Sequence, residues 1–269
     1  MIYFIVEKRY YVNNYFIKLS PKAMNTQEVA IIIPARIGSK RLPRKPLETI
    51  GDKTLIEHVI NSIKQTGFPN IYVATDSKEI SDVVKNSGIE AIMTDEACPS
   101  GTDRIYQAFQ KLPNHDKIKY VINVQGDIPF VNASVIKDIV QGLASGECDI
   151  MTPVVKIDHA IASSPDNVKV VVTNNNKALY FSRLPIPYGS QDFLYHVGIY
   201  GFTTKALERF ISLAQSNYEN KEKLEQLRAL ENDMTVAVCY CNEVPISVDT
   251  ASDLKKAREY FTKMGTNLC

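Results

Sequence analysis

Arg36, Ser39, Arg41 and Lys45 follow directly on an apolar run in the stretch IIIPARIGSKRLPRKPL, which begins at Ile31. Guanidinium forks, a hydroxyl, an ammonium and backbone amides are the donors that grip polyphosphate oxygens through charge-assisted hydrogen bonds. Residues 30–33 have the length and β-branched content of a buried strand, which should end at Pro34 because proline brings no amide donor to a ladder. A basic loop there occupies the place where open α/β sheets bind ligands, beyond the carboxyl end of a strand. It fits neither GxxxxGK[ST] nor GxGxxG, which argues against Walker-type and dinucleotide-type phosphate sites. The plain alternative is a solvated basic turn.

Two carboxylates extend the case. In VINVQGDIP, Asp127 lies just past a second buried strand, and in PISVDTASDL, Asp249 lies past another and before a helix. A carboxylate at a strand end can hold Mg²⁺ against phosphate oxygens. Taken singly, each reads as well as a turn residue, or as a helix cap near Thr250 in the case of Asp249. Two such residues in one chain with a basic phosphate loop make a metal site the better reading. A third segment, CPSGTDR, places Ser100, Thr102 and Arg104 where a loop enters a helix, with capping by Thr102 or Asp103 as the structural alternative.

These residues need a frame, and the surrounding pattern supplies one. TLIEHVINSIKQTG opens with Thr54 and Glu57 as a capping box, sets Leu55, Val59 and Ile63 on one face and stops at Gly67. Residues 71–75 (IYVAT) read as a strand, Asp76 with Glu79 as the cap of the next helix, and residues 120–124 (YVINV) as another buried strand. This is βαβ rhythm with parallel pairing. After residue 150 the rhythm changes to DIMTPVV, VKVVV, ALYFS and YHVGIYGF, strands with few helices between them, which suggests an added, more antiparallel layer. Helices return with EKLEQLRALE and ASDLKKAREYF.

At 269 residues, 45% apolar and 23% charged, with a net charge of +1, the chain has the composition of a globular enzyme. A pI near 7.6 leaves no global basic field, which argues against a nucleic-acid partner. Five cysteines without metal-ligand spacing point to reduced thiols in a cytoplasmic protein. Residues 1–24, rich in Tyr, Phe and Asn and broken by Glu7, Lys8 and Arg9, make neither a signal peptide nor a membrane span. They read as an extension or start-site artefact ahead of one domain, residues 25–269, and no stable membrane association is expected.

PARIGSKRLPRKPL, ATDSKEI, SGTDR, VINVQGDIP, ALYFSRLPIPY, YHVGIYGF, LEQLRALE and VDTASDL occur in the order and spacing of the 3-deoxy-manno-octulosonate (Kdo) cytidylyltransferases, and the chain resembles that family over residues 27–262. The resemblance implies an enzyme that joins CMP from CTP to Kdo for lipopolysaccharide assembly, releases pyrophosphate, uses Mg²⁺ and forms a homodimer. It implies a Rossmann-like nucleotidyltransferase fold, with a mostly parallel central sheet and a more antiparallel lobe for sugar binding and dimerisation. Residues 25–150 would form the nucleotide part, 151–205 the lobe, and 206–269 the return to the core. Pro34, Ala35, Arg36, Ser39, Arg41, Lys45, Ser100, Gly101, Thr102 and Arg104 match its nucleotide-binding segments. Asp127 and Asp249 match its metal carboxylates, and Arg36 and Lys45 would act with them in catalysis. Gln125, Arg183, His196, Tyr200, Glu225 and Gln226 match its sugar-acid site, with Arg183 expected to fork the Kdo carboxylate.

The chain departs from the family pattern in places. Ile128 stands where the family commonly has glutamate, Tyr195 where an arginine often precedes the histidine, and Ser247 where glycine precedes VDT; the loop at residues 187–193 is short. CMP-sialate synthetases share a related phosphate loop but normally lack the RLPxKPL continuation and the YFSR and LEQLR blocks. An 8-amino-Kdo substrate, or a noncatalytic nucleotide-binding homologue, are the remaining alternatives.

Overall fold

Val29–Ala35 (β1) is apolar at every position because helices cover both faces of its sheet. Val29, Ile31, Ile33 and Ala35 join one core layer while Ala30 and Ile32 join the other, the pattern of a strand buried on both sides. The structure, a computed structural model, describes residues 25–266. The reading of residues 1–24 falls outside the described residues.

After β1 come the short pair Thr49–Ile50 (β2) and Lys53–Thr54 (β3), helix Leu55–Lys64 (α1), Asn70–Thr75 (β4), Lys78–Asn86 (α2) and Glu90–Met93 (β5). Gly101–Gln110 (α3), Tyr120–Asn123 (β6), Ala133–Ala144 (α4), Ile150–Asp158 (β7), His159–Ala162 (α5), Lys169–Val172 (β8) and Ala178–Ser182 (β9) follow. The chain continues with Asp192–His196 (β10), Tyr200–Thr203 (β11), Thr204–Ser212 (α6), Asn217–Glu222 (α7), Gln226–Glu231 (α8), Val236–Tyr240 (β12) and Ala251–Thr266 (α9).

β5, β4, β1 and β6 are neighbours and all parallel. β11 then pairs antiparallel with both β6 and β7, and β10, β8 and β9 continue antiparallel beyond. β12 runs parallel to β7. The antiparallel strands are therefore a hydrogen-bonded continuation of the central sheet rather than a separate layer. One helical layer holds α1, α2 and α4 through Ile56, Ile60, Ile80, Val84, Ile136 and Ile139. The other holds α3, α6 and α8 through Ile105, Phe109, Leu207, Phe210 and Leu227.

Three local expectations are corrected. Pro34 lies inside β1, paired with Ala74, instead of ending it. Ile32 offers its carbonyl toward β6, where Val124 N–H donates to it at 3.3 Å, and Pro34, two residues on, faces the same way. Its missing donor points where the β1–β6 ladder has already ended at Ile32–Asn123, so it costs no ladder bond. The cap of α2 is Ser77, whose Oγ accepts from Ile80 N–H, leaving Asp76 free for other work. The helix read in EKLEQLRALE is confined to α8: Glu222 is the end of α7, and Lys223, in the left-handed region at φ 55°, separates the two. The buried pair of Arg228 with Glu219, 2.5 Å, ties the two together. The Thr54–Glu57 capping box of α1 is present, with Thr54 N–H donating to Glu57 Oε2 at 2.7 Å.

Candidate active site

A cavity of about 490 Å³ opens beyond the carboxyl ends of β1 and β6. Pro34, Ala35, Arg36, Ser39, Arg41 and Lys45 line it from the basic loop; Ser100, Gly101 and Arg104 from the start of α3; Gln125 and Asp127 from the turn after β6; and Asp249 from the approach to α9. Segments far apart in sequence thus meet at one sheet edge. Lys40 and Cys98 line it as well. Gly126 is required there because a Cβ on it would lie 2.7 Å from the Pro34 carbonyl oxygen.

Lys45 joins the two carboxylates. Its Nζ donates to Asp127 Oδ2 at 2.8 Å and to Asp249 Oδ1 at 2.9 Å, and Arg41 adds a 3.1 Å contact to the same Asp249 oxygen. Burial pulls the Lys45 ammonium down, but the two carboxylates more than offset it and hold its pKa above the ordinary lysine value. Val248 N–H donates to the Asp127 carbonyl at 2.9 Å, which pins the two carboxylate-bearing segments side by side. Asp249 does not cap α9: Thr250 and Asp253 do, exchanging Asp253 N–H to Thr250 Oγ1 at 3.2 Å and Thr250 N–H to Asp253 Oδ2 at 3.1 Å.

At the mouth of α3, the cap is Ser100, whose Oγ accepts from the N–H groups of Thr102 and Asp103. Neither Thr102 nor Asp103 fills that role. Thr102 does not line the cavity; it is wholly buried and donates its hydroxyl to Glu225. Arg104 reaches the cavity wall from a buried setting, bonded to Thr94 Oγ1 at 2.6 Å and paired with Asp76 Oδ2 at 3.0 Å. Asp76 Oδ1 also accepts from Ile37 N–H of the basic loop at 3.2 Å. Asp76 thus clamps loop to helix, a role that the sequence reading missed although Asp76 stands just past a strand as Asp127 does.

Gln125, Tyr200, His196 and Glu225, matched to the sugar acid, are linked to one another through Asn123 and Tyr200. Asn123 pairs directly with Tyr200 across β6 and β11, and Gln125 Nε2 reaches Asn123 Oδ1 at 3.4 Å. His196 packs against Tyr200 with ring centroids 5.2 Å apart, and its Nε2 meets Thr152 Oγ1 at 2.9 Å. Burial alone pushes the His196 imidazole down to about 3, so it stays neutral near pH 7. Burial, then Glu225, raises the Tyr200 phenol, and burial raises Glu225 against the pull of Thr102 and Ser100. Asn123 Nδ2, Glu225 Oε2 and Gln226 Nε2 are buried with no protein partner. Such atoms carry a desolvation cost that a hydroxyl-rich ligand or ordered water can remove.

Arg183 stands apart. Its guanidinium donates to the backbone carbonyls of Glu222 at 2.7 Å, Pro165 at 3.0 Å and Lys223 at 3.3 Å. With three of its five N–H groups on carbonyls it fastens the α7–α8 turn to the loop before β8. Arg183→Ala is accordingly expected to cost about 1–3 kcal/mol of stability, read as a lower melting temperature, and to weaken both substrates together. A selective loss of Kdo binding at unchanged melting temperature would restore the carboxylate role.

Ile128, at the position where the family commonly has glutamate, is 4% exposed and packs in the core layer with Val131 and Val135. Its side chain does not line the cavity, so no carboxylate is missing from the cavity wall at that point. Ile128→Glu would bury an unpaired carboxyl and is expected to cost about 2–5 kcal/mol, measured by denaturant unfolding. Unchanged stability with tighter metal binding would show that the side chain turns outward. Tyr195 contributes a further polar group: its phenol is raised by burial and then by Asp127, Cys241 and Asp249.

A family profile described as cytidylyltransferase matches residues 30–236. A 3-deoxy-manno-octulosonate cytidylyltransferase of Rickettsia massiliae is 52% identical over 238 residues, covering 88% of this chain and 97% of that one. The enzyme of the same name from Rickettsia prowazekii is 52% identical over 241 residues, covering 90% and 98%. Among solved structures, a CMP:2-keto-3-deoxy-manno-octonic acid synthetase complexed with CTP superposes with a TM-score of 0.83 at 35% identity, covering 88% of this chain and 99% of that one. A 4-diphosphocytidyl-2C-methyl-D-erythritol synthase from Anaerococcus prevotii, 14% identical with a TM-score of 0.60, shares the fold. Identity at this level over nearly the whole length of the rickettsial enzymes, together with the family match over residues 30–236, places the chain in the 3-deoxy-manno-octulosonate cytidylyltransferase family.

Proposed function

We propose that this protein transfers CMP from CTP to Kdo, releasing pyrophosphate. The observation that carries the reading is a cavity in which a basic loop, the N-terminus of α3 and two strand-end carboxylates converge. The anomeric hydroxyl of Kdo attacks the α-phosphorus of CTP, an oxygen–phosphorus bond forms, the bond to the bridging oxygen breaks, and the hydroxyl proton is released. No protein nucleophile is needed; the work is alignment and neutralisation of charge. Arg36, Ser39, Arg41 and Lys45 face the triphosphate, and Ser100 and Gly101 at the start of α3 line the same cavity.

Asp127 and Asp249 fit Mg²⁺, because one ammonium already contacts both carboxylates and the donors are hard oxygens. Among the described residues no group of three or more His, Cys, Asp or Glu could hold a metal, so the protein offers two carboxylates and leaves the other positions to phosphate oxygens and water, the usual pattern for Mg²⁺. When bound, the ion supplies positive charge against the phosphates. The buried unpartnered atoms of Asn123, Glu225 and Gln226 beside Tyr200 suit the hydroxyls of a sugar acid. His196, engaged with Thr152 and neutral, shapes that wall without acting as a base.

A homodimer belongs to the same reading, supported by Leu179 at the edge strand β9 and by Leu184 and Tyr188 just after it, all exposed. A cytoplasmic setting is supported by free Cys98, Cys148, Cys239 and Cys241. No helix among the described residues is long and apolar enough to cross a membrane. Pyrophosphate release from CTP with Mg²⁺, compared between Kdo, 8-amino-Kdo and a sialic acid, tests the function. Release with Kdo above the other two is expected, and release with sialic acid alone would overturn it.

A further inference from the structure

Thr102 sits on the first turn of α3, one residue after Gly101 and two after Ser100, both of which line the nucleotide cavity. Its own side chain turns the other way: it is 0% exposed, and its hydroxyl donates to Glu225 Oε1 at the head of α8. A hydroxyl has one proton to give, so while this bond stands Thr102 cannot donate to a nucleotide. The remaining oxygen, Glu225 Oε2, is buried with no protein partner, next in sequence to Gln226, whose Nε2 is also unpartnered. One oxygen of the carboxylate is anchored and the other is left free.

We propose that Thr102 is a positioning residue for the sugar-acid substrate, acting through Glu225. It anchors one carboxylate oxygen to the nucleotide-binding helix so that the other is presented to a ligand hydroxyl. The backbone arrangement supports this direction of action. Glu225 follows the left-handed Lys223 in the break between α7 and α8, and a bond from the rigid first turn of α3 fixes its carboxyl. Ser100 and Gly101 on the same turn face the nucleotide, so the groups addressing the two substrates ride on one helical turn.

This inference rests on the Kdo reading above, and its test is arranged so that the two fail separately. Thr102→Val keeps the shape and removes the hydroxyl; Thr102→Ser keeps the hydroxyl. For Thr102→Val, KM for Kdo is expected to rise roughly 10-fold or more, with the Kd for CTP by calorimetry within about 3-fold of wild type. Thr102→Ser should recover most of the loss. A thermal-unfolding double-mutant cycle of Thr102→Val with Glu225→Ala reads the contact without any substrate and should show clear non-additivity. Should the valine variant not fold, Thr102→Ala enters the same comparisons.

Additive stability effects in the cycle, equal weakening of CTP and Kdo, or a serine variant as impaired as the valine one would each overturn the positioning role. Wild-type protein that couples to Glu225 in the cycle but never turns over Kdo would instead overturn the Kdo reading and leave the Thr102–Glu225 anchor standing.

Discussion

Asp127→Asn and Asp249→Asn are each expected to lower turnover of CTP with Kdo by about 100- to 1000-fold while the circular dichroism spectrum and melting temperature stay close to wild type. The size follows from removing a carboxylate that would hold the proposed Mg²⁺, and with it the positive charge set against the phosphates, a loss of roughly 3–4 kcal/mol in comparable electrostatic arrangements. The fold should survive because both side chains reach solvent at the cavity, 22% and 37% exposed, and neither is a core or capping group. The double variant should be little worse than either single one, because two ligands of one ion, as proposed, would act as a unit. Losses that multiply, measured as pyrophosphate release across a Mg²⁺ titration, would mean that the carboxylates work independently.

Lys45→Met should produce the second large effect, in two opposite directions. Turnover should fall about 100-fold or more, since the ammonium lines the proposed triphosphate cavity from beside both carboxylates. Affinity of the nucleotide-free protein for Mn²⁺ should rise at least about 10-fold, because unit charges about 4 Å apart in a partly screened site attract by about 4 kcal/mol and the lysine competes for the same oxygens. Arg41 remains on Asp249 and tempers the gain. Electron paramagnetic resonance of free Mn²⁺ reads this without substrate. Unchanged Mn²⁺ affinity would show that Lys45 and the metal use different faces of Asp127 and Asp249.

What could be read in the residue string was whatever is local. The apolar stretch through Ile33 reads as a core strand because both its faces are covered, and Thr54 with Glu57 reads as a helix start because the box closes over three residues. The basic loop and the two strand-end aspartates were legible because position relative to a strand is itself a local signal. The turnings of individual side chains were not. Asp76 looks like a cap until Ser77 takes that bond, and Thr102 looks like a nucleotide donor until the fold brings Glu225 to it across 123 positions. Arg183 seemed a free fork because nothing in YFSR announces the carbonyls of Pro165, Glu222 and Lys223 that surround it. The break at Lys223 was hidden because the residues on either side of it form helices.

The bond from Lys45 to Asp249 closes a loop of 204 positions, and that span has a consequence for how the protein is born. At roughly 5–20 residues per second on a ribosome, Asp249 is synthesised on the order of 10–40 s after Lys45. During that interval β5, β4, β1 and β6 can assemble, and Lys45 has Asp127 alone as its carboxylate partner. In that interval the basic loop stands without its second carboxylate neighbour. Only when Val248 docks on the Asp127 carbonyl does the proposed centre acquire its second carboxylate, so the segment leading into α9 completes it last.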